Sequence, residues 1–237
     1  MTTYPVTDPR VLSGMKAQLA ERRRRLGAGS SHLGWKSGFG APAAISKFNL
    51  PGPLMGYLLQ EGRLESGTTV SLAGWTRPVA EPEIAVYIGA DLPAGDDKTS
   101  VRQAISALGP AIELADLDPP PEDVEKILAG NIFHRHVILG RRDPARAGAD
   151  LDGLAAHISR AGKQGSPVTE LESNTGRVVD VGSHIANTLA SCGERLKAGD
   201  VIIAGSVVPP LLLTPEDNSV KYRLGEIDEI TVDFVWS

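Results

Sequence analysis

Residues 77–89, "RPVAEPEIAVYIG", are rich in valine and isoleucine and therefore indicate a strand of a buried sheet. The same stretch carries two carboxylates, Glu81 and Glu83, with only Pro82 between them. Residues two apart on a strand point to the same face, so the two acids are predicted to project side by side. Proline has no N–H to donate to a sheet ladder, which places this point at a sheet edge or a bulge.

Two like charges on a buried face are costly unless a cation lies between them. Ligands that offer only oxygen favour Mg²⁺, Mn²⁺ or Ca²⁺ over Zn²⁺, which prefers nitrogen and sulfur. Glu113 is a candidate third ligand because it lies between Ile112 and Leu114 in the apolar segment "AIELADLD", where a glutamate needs a partner. A solvent-exposed strand face with two acids is the alternative, and the spacing alone leaves both interpretations open.

The composition is that of a soluble globular protein. The chain has 237 residues, 41% hydrophobic and 22% charged, which fits one large domain or one domain with a small appendage. The net charge of −5 gives no indication of a nucleic-acid or anionic-membrane partner, and the basic run at 21–25 is typical of a helix end. Cys192 is the only cysteine. Because no apolar leader or membrane-length run is present, we expect a cytoplasmic protein.

The local patterns predict an α+β protein that is mostly β, with a few short helices packed outside. Helices are predicted at residues 8–27, 97–108, 119–130 and 181–192, the last with Asp180 as its cap. Strands are predicted at 68–72, 83–88, 110–118, 131–140, 154–159, 198–208 and 229–237, with an extended segment at 32–42 and a loop at 49–56. Residues 1–30 are predicted to form an N-terminal helical arm, and residues 31–237 the β-rich catalytic domain.

Five blocks occur in a characteristic order: "GWKSGFG", "RPVAEPEIAVYIGADL", "GPAIELADLD", "GNIFHRHVILG" and "ERLKAGDVIIAGS". Over residues 33–237 the chain resembles the 2-keto-4-pentenoate hydratase group of the fumarylacetoacetate hydrolase superfamily, which also contains 4-oxalocrotonate decarboxylases. The resemblance implies a mixed β-sheet roll with short peripheral helices.

The resemblance also implies that Glu81, Glu83 and Glu113 hold a Mg²⁺ or Mn²⁺ ion. It implies a lyase that acts on a small 2-oxo acid or 2-hydroxydienoate through a metal-bound enolate. Hydration of the 2-keto-4-pentenoate hydratase type is expected first, with 2-oxo acid decarboxylation or C–C bond (diketone) hydrolysis as alternatives. A non-catalytic relative that binds a 2-oxo acid or serves as a partner subunit is the alternative of another class. We further expect a homo-oligomer, and association with a related decarboxylase or hydratase.

Three more residues match functional positions of the group. Lys36 in "GWKSG" matches a strand lysine at the active site, which orients the substrate carboxylate or assists proton transfer. Asn131 and Ser206 match positions that hydrogen-bond substrate or lie near the metal pocket. Without the resemblance, Lys36 is typical of a surface lysine lying along Trp35, and Ser206 of a strand-end hydroxyl.

The chain departs from the group's pattern in its acid–base residues. Leu54 in "PGPLMG" stands where the hydratases carry an aspartate, and Gly130 replaces the acid of an Ala-Asp-Asn turn. The arginine that usually follows the third acid is absent from "ADLDPPP". His134 and His136 are therefore candidate catalytic acid–base residues, which a regular strand would place on one face. Surface or stacking histidines are the alternative.

Overall fold

The computed structural model describes residues 5–93, 98–118 and 122–237. Within these ranges the α-helices are α1 (Pro9–Gly27), α2 (Pro42–Phe48), α3 (Lys98–Ala104), α4 (Val124–Ala129) and α5 (Val178–Ser191). The strands are β1 (His32–Gly38), β2 (Leu54–Leu59), β3 (Arg63–Leu64), β4 (Thr68–Ser71), β5 (Pro78–Ile88), β6 (Ile105–Asp116), β7 (His134–Leu139), β8 (Ala156–Arg160), β9 (Lys163–Gln164), β10 (Val201–Ser206), β11 (Leu211–Leu212), β12 (Ser219–Leu224) and β13 (Asp228–Val235).

Two mixed sheets make up the β structure. The larger has the strand order β2-β1-β10-β5-β6-β7-β3, with β11 pairing beside β5, and the smaller has the order β4-β13-β12-β8-β9. The pairs β1–β10, β3–β7 and β4–β13 are parallel and the other ladders are antiparallel. These sheets and the short helices confirm the predicted α+β fold, mostly β with a mixed sheet.

The larger sheet curls so that one of its faces encloses a small core of its own. Seven buried side chains from strands that are far apart in the sheet order form one cluster, separate from the main core: Leu33, Leu58, Ala85, Ala111, Val137, Val201 and Ile203. The opposite face, which carries Val86, Ile112 and Ile138, belongs to the main core with the helices. The enclosed face is the one that carries the carboxylates.

Helix α1 begins where the sequence predicts it. Asp8 caps it by accepting from the backbone N–H of Arg10 at 2.9 Å, and Pro9 occupies the first turn. The buried Gln18 amide donates to the carbonyls of Met55 at 3.0 Å and Leu128 at 2.8 Å, which joins α1 to β2 and α4. The division into an arm at 1–30 and a domain at 31–237 stays a prediction.

Three predicted segments have partly wrong secondary structure. In the strand predicted at 131–140, Asn131–Phe133 form a 3-10 turn and β7 begins only at His134. The predicted loop at 49–56 ends early, because β2 begins at Leu54 and pairs with β1. The predicted helix at 97–108 stops at Ala104, and β6 begins at Ile105; its first residue, Asp97, lies outside the described residues. Leu108 and Gly109 instead continue the ladder with β5. Pairing with a long neighbouring strand therefore outweighs the local helical pattern.

Helix α5 starts earlier than predicted. Its first residue is Val178, so Asp180 lies inside the first turn and is not the cap. There it pairs with Lys98 at 2.5 Å and Arg177 at 2.9 Å, where an acid also complements the helix dipole. Strand β8 at 156–160, which pairs with β9, confirms the strand predicted at 154–159. None of the helices in the described part of the chain has the length and hydropathy needed to cross a membrane.

Candidate active site

Neighbouring strands bring the three predicted acids together. Glu81 on β5 pairs directly with Glu113 on β6, and Glu83 follows two residues along β5. One oxygen from each carboxylate lies within 4.8 Å of one from each of the others. Glu83 and Glu113 are fully buried, whereas Glu81 is partly exposed. The same-face arrangement predicted from the strand period is therefore confirmed.

A bulge in β10 supplies one hydrogen bond to this cluster. The register of β10 against β5 shifts between Ile203 and Ser206, and Gly205 in the shifted part has a φ of 95°. Its backbone N–H donates to Oε2 of Glu83 at 2.6 Å. A side chain here would be strained and would meet Thr175 at 3.0 Å, so the position suits glycine.

Two side chains bind the same oxygen of Glu113. Lys36 Nζ forms a short hydrogen bond to Oε1, and His134 Nδ1 lies 2.8 Å from that atom. Lys36 is buried in β1 and also donates to the carbonyl of Ile132 at 3.1 Å. Opposite Lys36 on β2 is Gly56, where a Cβ would lie 2.9 Å from Lys36 Cγ. Glycine therefore leaves the space that the buried lysine occupies.

The cluster fits a divalent cation by charge and by donor type. Within the described residues, Oε1 of Glu83 and Oε2 of Glu113 are buried without a hydrogen-bond partner, a state that is costly for a carboxylate oxygen. Three carboxylates and the Lys36 ammonium sum to −3 + 1 = −2 when all are ionised. Oxygen donors with this net charge suit Mg²⁺, Mn²⁺ or Ca²⁺.

The surroundings of the three acids shift their pKa values in different directions. Burial first, and repulsion from Glu113 second, raise the pKa of Glu81 to about 7. Burial and the two neighbouring carboxylates also raise the pKa of Glu83. Burial opposes ionisation of Glu113 as well, but Lys36 and His134 together hold its pKa below the usual value. Burial lowers the pKa of His134 despite its bond to Glu113.

A cavity of about 220 Å³ opens beside the cluster. Lys36 and Glu81 are the charged residues of the described chain that line it. The polar residues that line it also include Ser37, Asn174, Thr175 and Ser206. The apolar lining residues include Phe39, Val79, Ala115, Leu117, Ile132, Phe133 and Pro210. One end of the cavity is therefore polar and charged, and much of its wall is apolar.

The apolar wall continues directly from the carboxylates. Val79 and Ala115 form the next same-face pair beyond Glu81 and Glu113 on the β5–β6 ladder, about 7 Å further along the strands. Leu117 lies two residues beyond Ala115 and also lines the cavity. A small molecule anchored at the carboxylates would meet only apolar side chains along this part of the wall.

Ser206 lines the cavity, as predicted for a substrate-binding residue, and its hydroxyl also donates to Pro82 O at 3.3 Å. Asn131 is placed differently. Its Oδ1 accepts from Tyr57 N at 2.8 Å and its Nδ2 donates to Tyr57 O at 3.0 Å. Both ends of the amide therefore bind β2, and Asn131 does not line this cavity. Its predicted contact with substrate stays a prediction.

The two histidines lie on opposite faces of the sheet, so the prediction of a shared face is wrong. The β6–β7 register shifts between Leu114 and Ala115, so that His134 pairs with Ala115 and His136 with Leu114. This bulge turns His134 to the carboxylate face. His136 instead stacks on Trp75, with ring centroids 6.2 Å apart and planes 23° apart. The structure does not bring His136 to the carboxylates.

Sequence reasoning missed Ser37 and Asn174. Ser37 is among the residues that line the cavity, and its Oγ is buried without a hydrogen-bond partner among the described residues. Asn174 Nδ2 donates to the carbonyls of Ser206 at 2.7 Å and Val208 at 3.1 Å, which holds the chain after β10 against the cavity. The position of Ser37 beside Lys36 was the one available signal, whereas nothing in the local sequence marks Asn174.

Comparison with known proteins finds relatives that are named hydratases or decarboxylases. No family model matches the chain. It is 29% identical over 218 residues to the 2-hydroxyhexa-2,4-dienoate hydratase of Comamonas testosteroni, which covers 88% of this chain and 82% of that protein. It is 27% identical over 214 residues to a 4-oxalocrotonate decarboxylase of Pseudomonas putida, which covers 87% of this chain and 80% of that protein.

The fold matches the solved structure of 4-oxalocrotonate decarboxylase from Pseudomonas putida G7, complexed with magnesium and adipate. The TM-score is 0.83 at 24% identity, over 92% of this chain and 83% of that one. By sequence, the chain is similar to the hydratases and decarboxylases that the sequence resemblance indicated.

The chain has no acid at the two positions where it departs from the group's pattern. Leu54 is buried at the start of β2, and Gly130 ends α4, where its N–H donates to Lys126 O at 2.9 Å. Neither residue lines the cavity. Acid–base chemistry at this site must therefore come from residues other than these two.

Proposed function

We propose that this chain is a metal-dependent hydro-lyase that hydrates a small 2-hydroxydienoate. The observation that carries the proposal is the trio of carboxylates, the buried Glu83 and Glu113 with the partly exposed Glu81, which lies beside an apolar wall. Relatives that are named hydratases support it. The expected reaction moves the 2-hydroxyl proton of the dienoate to C5 and then adds water, with hydroxide at C4 and a proton at C3.

Mg²⁺ or Mn²⁺ is the proposed ion, held by the three carboxylates. When bound, such an ion supplies Lewis-acid stabilisation of the negative charge that a 2-oxo acid develops as its enolate. The protein's own part is to hold the three acids rigidly. Gly205 fixes Glu83, while Lys36 and His134 fix Glu113.

Lys36 is proposed to bind the substrate carboxylate. Two of its ammonium donors point to Glu113 and to the Ile132 carbonyl, and a third is available for a ligand in the cavity that Lys36 lines. The Ser37 hydroxyl, buried and without a partner among the described residues, would donate to the same carboxylate. Ser206, at the end of the neighbouring strand β10, would bind a substrate oxygen.

Proton transfer is also assigned to Lys36. Of the described residues that line the cavity, Lys36 and Glu81 are the ionisable ones, and Glu81 is reserved for the cation. Because Leu54 and Gly130 supply no acid, Lys36 is the group placed to hold or move a proton at a bound dienoate. This assignment replaces the acid–base roles that the sequence suggested for His134 and His136.

The apolar wall favours a substrate with one carboxylate over a diacid. Beyond the Glu81–Glu113 pair, the cavity is lined by Val79, Ala115 and Leu117. A second carboxylate at the far end of the substrate would lie against these side chains without a cation, which is costly. Decarboxylation of an unsaturated 2-oxo diacid, the reaction expected of a 4-oxalocrotonate decarboxylase, is the second candidate function.

The proposal is tested with 2-hydroxypenta-2,4-dienoate in ultraviolet progress curves, with and without Mg²⁺. We expect Mg²⁺-dependent loss of the dienol absorbance beyond simple ketonisation, and a product heavier by one water in mass spectrometry. Release of CO₂ from a 2-oxo diacid, without hydration of the dienoate, would assign the chain to the decarboxylases. Binding of Mg²⁺ without turnover of either compound would favour the non-catalytic 2-oxo-acid-binding relative.

A homo-oligomer, and association with a related decarboxylase or hydratase, remain proposals. Edge strands such as β2 and β4 end their sheets, and proteins commonly cover such edges by association. Sedimentation of the purified chain alone, and then mixed with a related decarboxylase, measures both. A monomer in both experiments would remove this part of the proposal.

A further inference from the structure

We propose that His134 is a positioning residue that sets the orientation of Glu113 and thereby the affinity of the carboxylate trio for a divalent cation. The inference rests on the metal site proposed above. It assigns His134 a role different from proton transfer to substrate. His134 would act through Glu113 and would touch neither substrate nor ion.

The first observation is that the two carboxylate oxygens of Glu113 have different hydrogen-bond partners. Lys36 Nζ and His134 Nδ1 both bind Oε1, and Oε2 is buried without a partner among the described residues. Two donors from different strands on one oxygen fix the plane of the carboxylate. Oε2 is thereby left as the atom available to a cation.

The second observation is that His134 makes one polar contact. Its side chain is only 7% exposed, and Nε2 has no hydrogen-bond partner in the part of the chain that the structure describes. A carboxylate oxygen accepts, so Nδ1 must carry the proton of this bond. His134 does not line the cavity that Lys36 and Glu81 line. Among the described residues, Glu113 is therefore the one hydrogen-bond partner of the His134 side chain.

The third observation is the backbone conformation of the three residues that precede His134. Asn131, Ile132 and Phe133 have φ values of 55°, 50° and 61°, a left-handed run that is costly for residues with a side chain, above all for the β-branched Ile132. Asn131 anchors the run through its two bonds to Tyr57. Strain of this kind persists where the surrounding contacts fix it. The run ends at His134 and directs its ring to Glu113.

Lys36 alone would hold Glu113 in place poorly, because the same ammonium group has a second proposed role. Its ammonium lines the cavity and is the group proposed to bind the substrate carboxylate. A lysine side chain is long and has several rotatable bonds, whereas the imidazole of His134 is rigid and enclosed. His134 would therefore hold Glu113 in place whether or not Lys36 is engaged with a ligand.

The test compares His134→Asn with His134→Gln. The asparagine amide nitrogen can occupy the place of Nδ1, whereas the glutamine amide reaches towards the place of Nε2. Both variants are polar and neutral, and circular dichroism checks that both fold. The dissociation constant for Mn²⁺ is measured by electron paramagnetic resonance of the free ion. We expect His134→Gln to bind Mn²⁺ about 10- to 100-fold more weakly than the natural protein, and His134→Asn to stay within a few-fold of it.

His136→Gln is the matched control, because His136 lies two residues along the same strand on the opposite face, against Trp75. It should leave the Mn²⁺ dissociation constant unchanged. Equal dissociation constants for the Asn and Gln variants, or a folded Gln variant with unaltered affinity and lost turnover, would overturn the positioning role. Failure of the natural protein to bind Mn²⁺ would reject the metal site itself, and this inference with it.

Discussion

Glu81 and Glu113 are direct cross-strand partners in the antiparallel β5–β6 ladder. Two carboxylates therefore lie side by side at a position where a sheet normally pairs apolar side chains or side chains of opposite charge. Like charges opposed in this way destabilise a sheet. Glu83 adds a third acid to the same face within 4.8 Å. Lys36 neutralises part of this charge, and the remainder makes the site a strong attractor for a cation.

Glu83→Gln should separate metal binding from folding. The amide keeps an oxygen that can accept from Gly205 N–H but removes one buried negative charge. We expect the thermal midpoint without metal to stay the same or rise by a few degrees, and the upward shift on adding Mg²⁺ or Mn²⁺ to disappear with turnover. Differential scanning calorimetry with and without ion measures this. Glu65→Gln, at a side chain that is 86% exposed, is the control; an unchanged metal shift in Glu83→Gln would contradict the site.

The metal-free protein should lose stability as pH rises from 5 to 7. Burial and Glu113 raise the pKa of Glu81 to about 7, so in this window the folded carboxyl keeps a proton that the unfolded chain has released. Stability falls with pH wherever the folded state binds more protons. Thermal melts in a chelator at pH 5, 6 and 7 measure the slope. Glu81→Gln should reduce it, and Glu83, whose pKa burial also raises, contributes the rest.

Metal binding should respond to pH in the opposite sense. A carboxylate must release its proton before it can bind a cation, so the affinity for Mn²⁺ should fall as pH drops below about 7, the pKa of Glu81. Titrations at pH 6 and 8 compare the two dissociation constants. Equal affinity at both pH values, together with a flat stability slope, would show that Glu81 is not perturbed.

Ser37→Ala should increase stability and weaken ligand binding. Ser37 Oγ is buried without a partner among the described residues, which costs about 1–3 kcal/mol in the ligand-free protein. Alanine removes that cost, so we expect a higher thermal midpoint. The lost hydrogen bond should raise the inhibition constant of pyruvate or oxalate by roughly tenfold, as for a bond worth about 1.4 kcal/mol. A weaker fold with unchanged inhibition would place the hydroxyl outside substrate binding.

The trio of acids could be predicted because each acid breaks a local rule. Glu81 and Glu83 share a face through the two-residue period of a strand, and Glu113 interrupts an apolar segment where a lone charge is costly. Lys36 breaks no such rule, since a lysine beside Trp35 suits a surface as well. Only the ordered blocks of the resemblance indicated it, and the structure then placed its ammonium on Glu113.

The faces of the two histidines and the point where α3 ends and β6 begins could not be predicted, because long-range strand pairing decides them. A one-residue bulge between β6 and β7 turns His134 to the carboxylate face and leaves His136 on the opposite face. Nothing in "HRHVIL" encodes that shift, which depends on a strand about twenty residues earlier. Likewise, residues 105–108 have a helical apolar pattern but pair with β5. In both places the neighbouring strand, not the local sequence, determines the outcome.

Leu117→Lys should alter the choice of substrate if the apolar wall selects against diacids. Leu117 is partly exposed and lines the cavity beyond Val79 and Ala115, so a lysine there can keep its ammonium in water. The natural protein should be inhibited more strongly by 2-oxohexanoate than by 2-oxoadipate, which carries a second carboxylate. The lysine should improve inhibition by 2-oxoadipate by up to about fivefold, as expected for a partly exposed ion pair worth about 1 kcal/mol. Leu212→Lys, at a leucine that is 43% exposed and does not line the cavity, should change neither inhibition constant. A natural protein that prefers 2-oxoadipate would show that the wall does not exclude a second carboxylate, and would favour the decarboxylase over the hydratase.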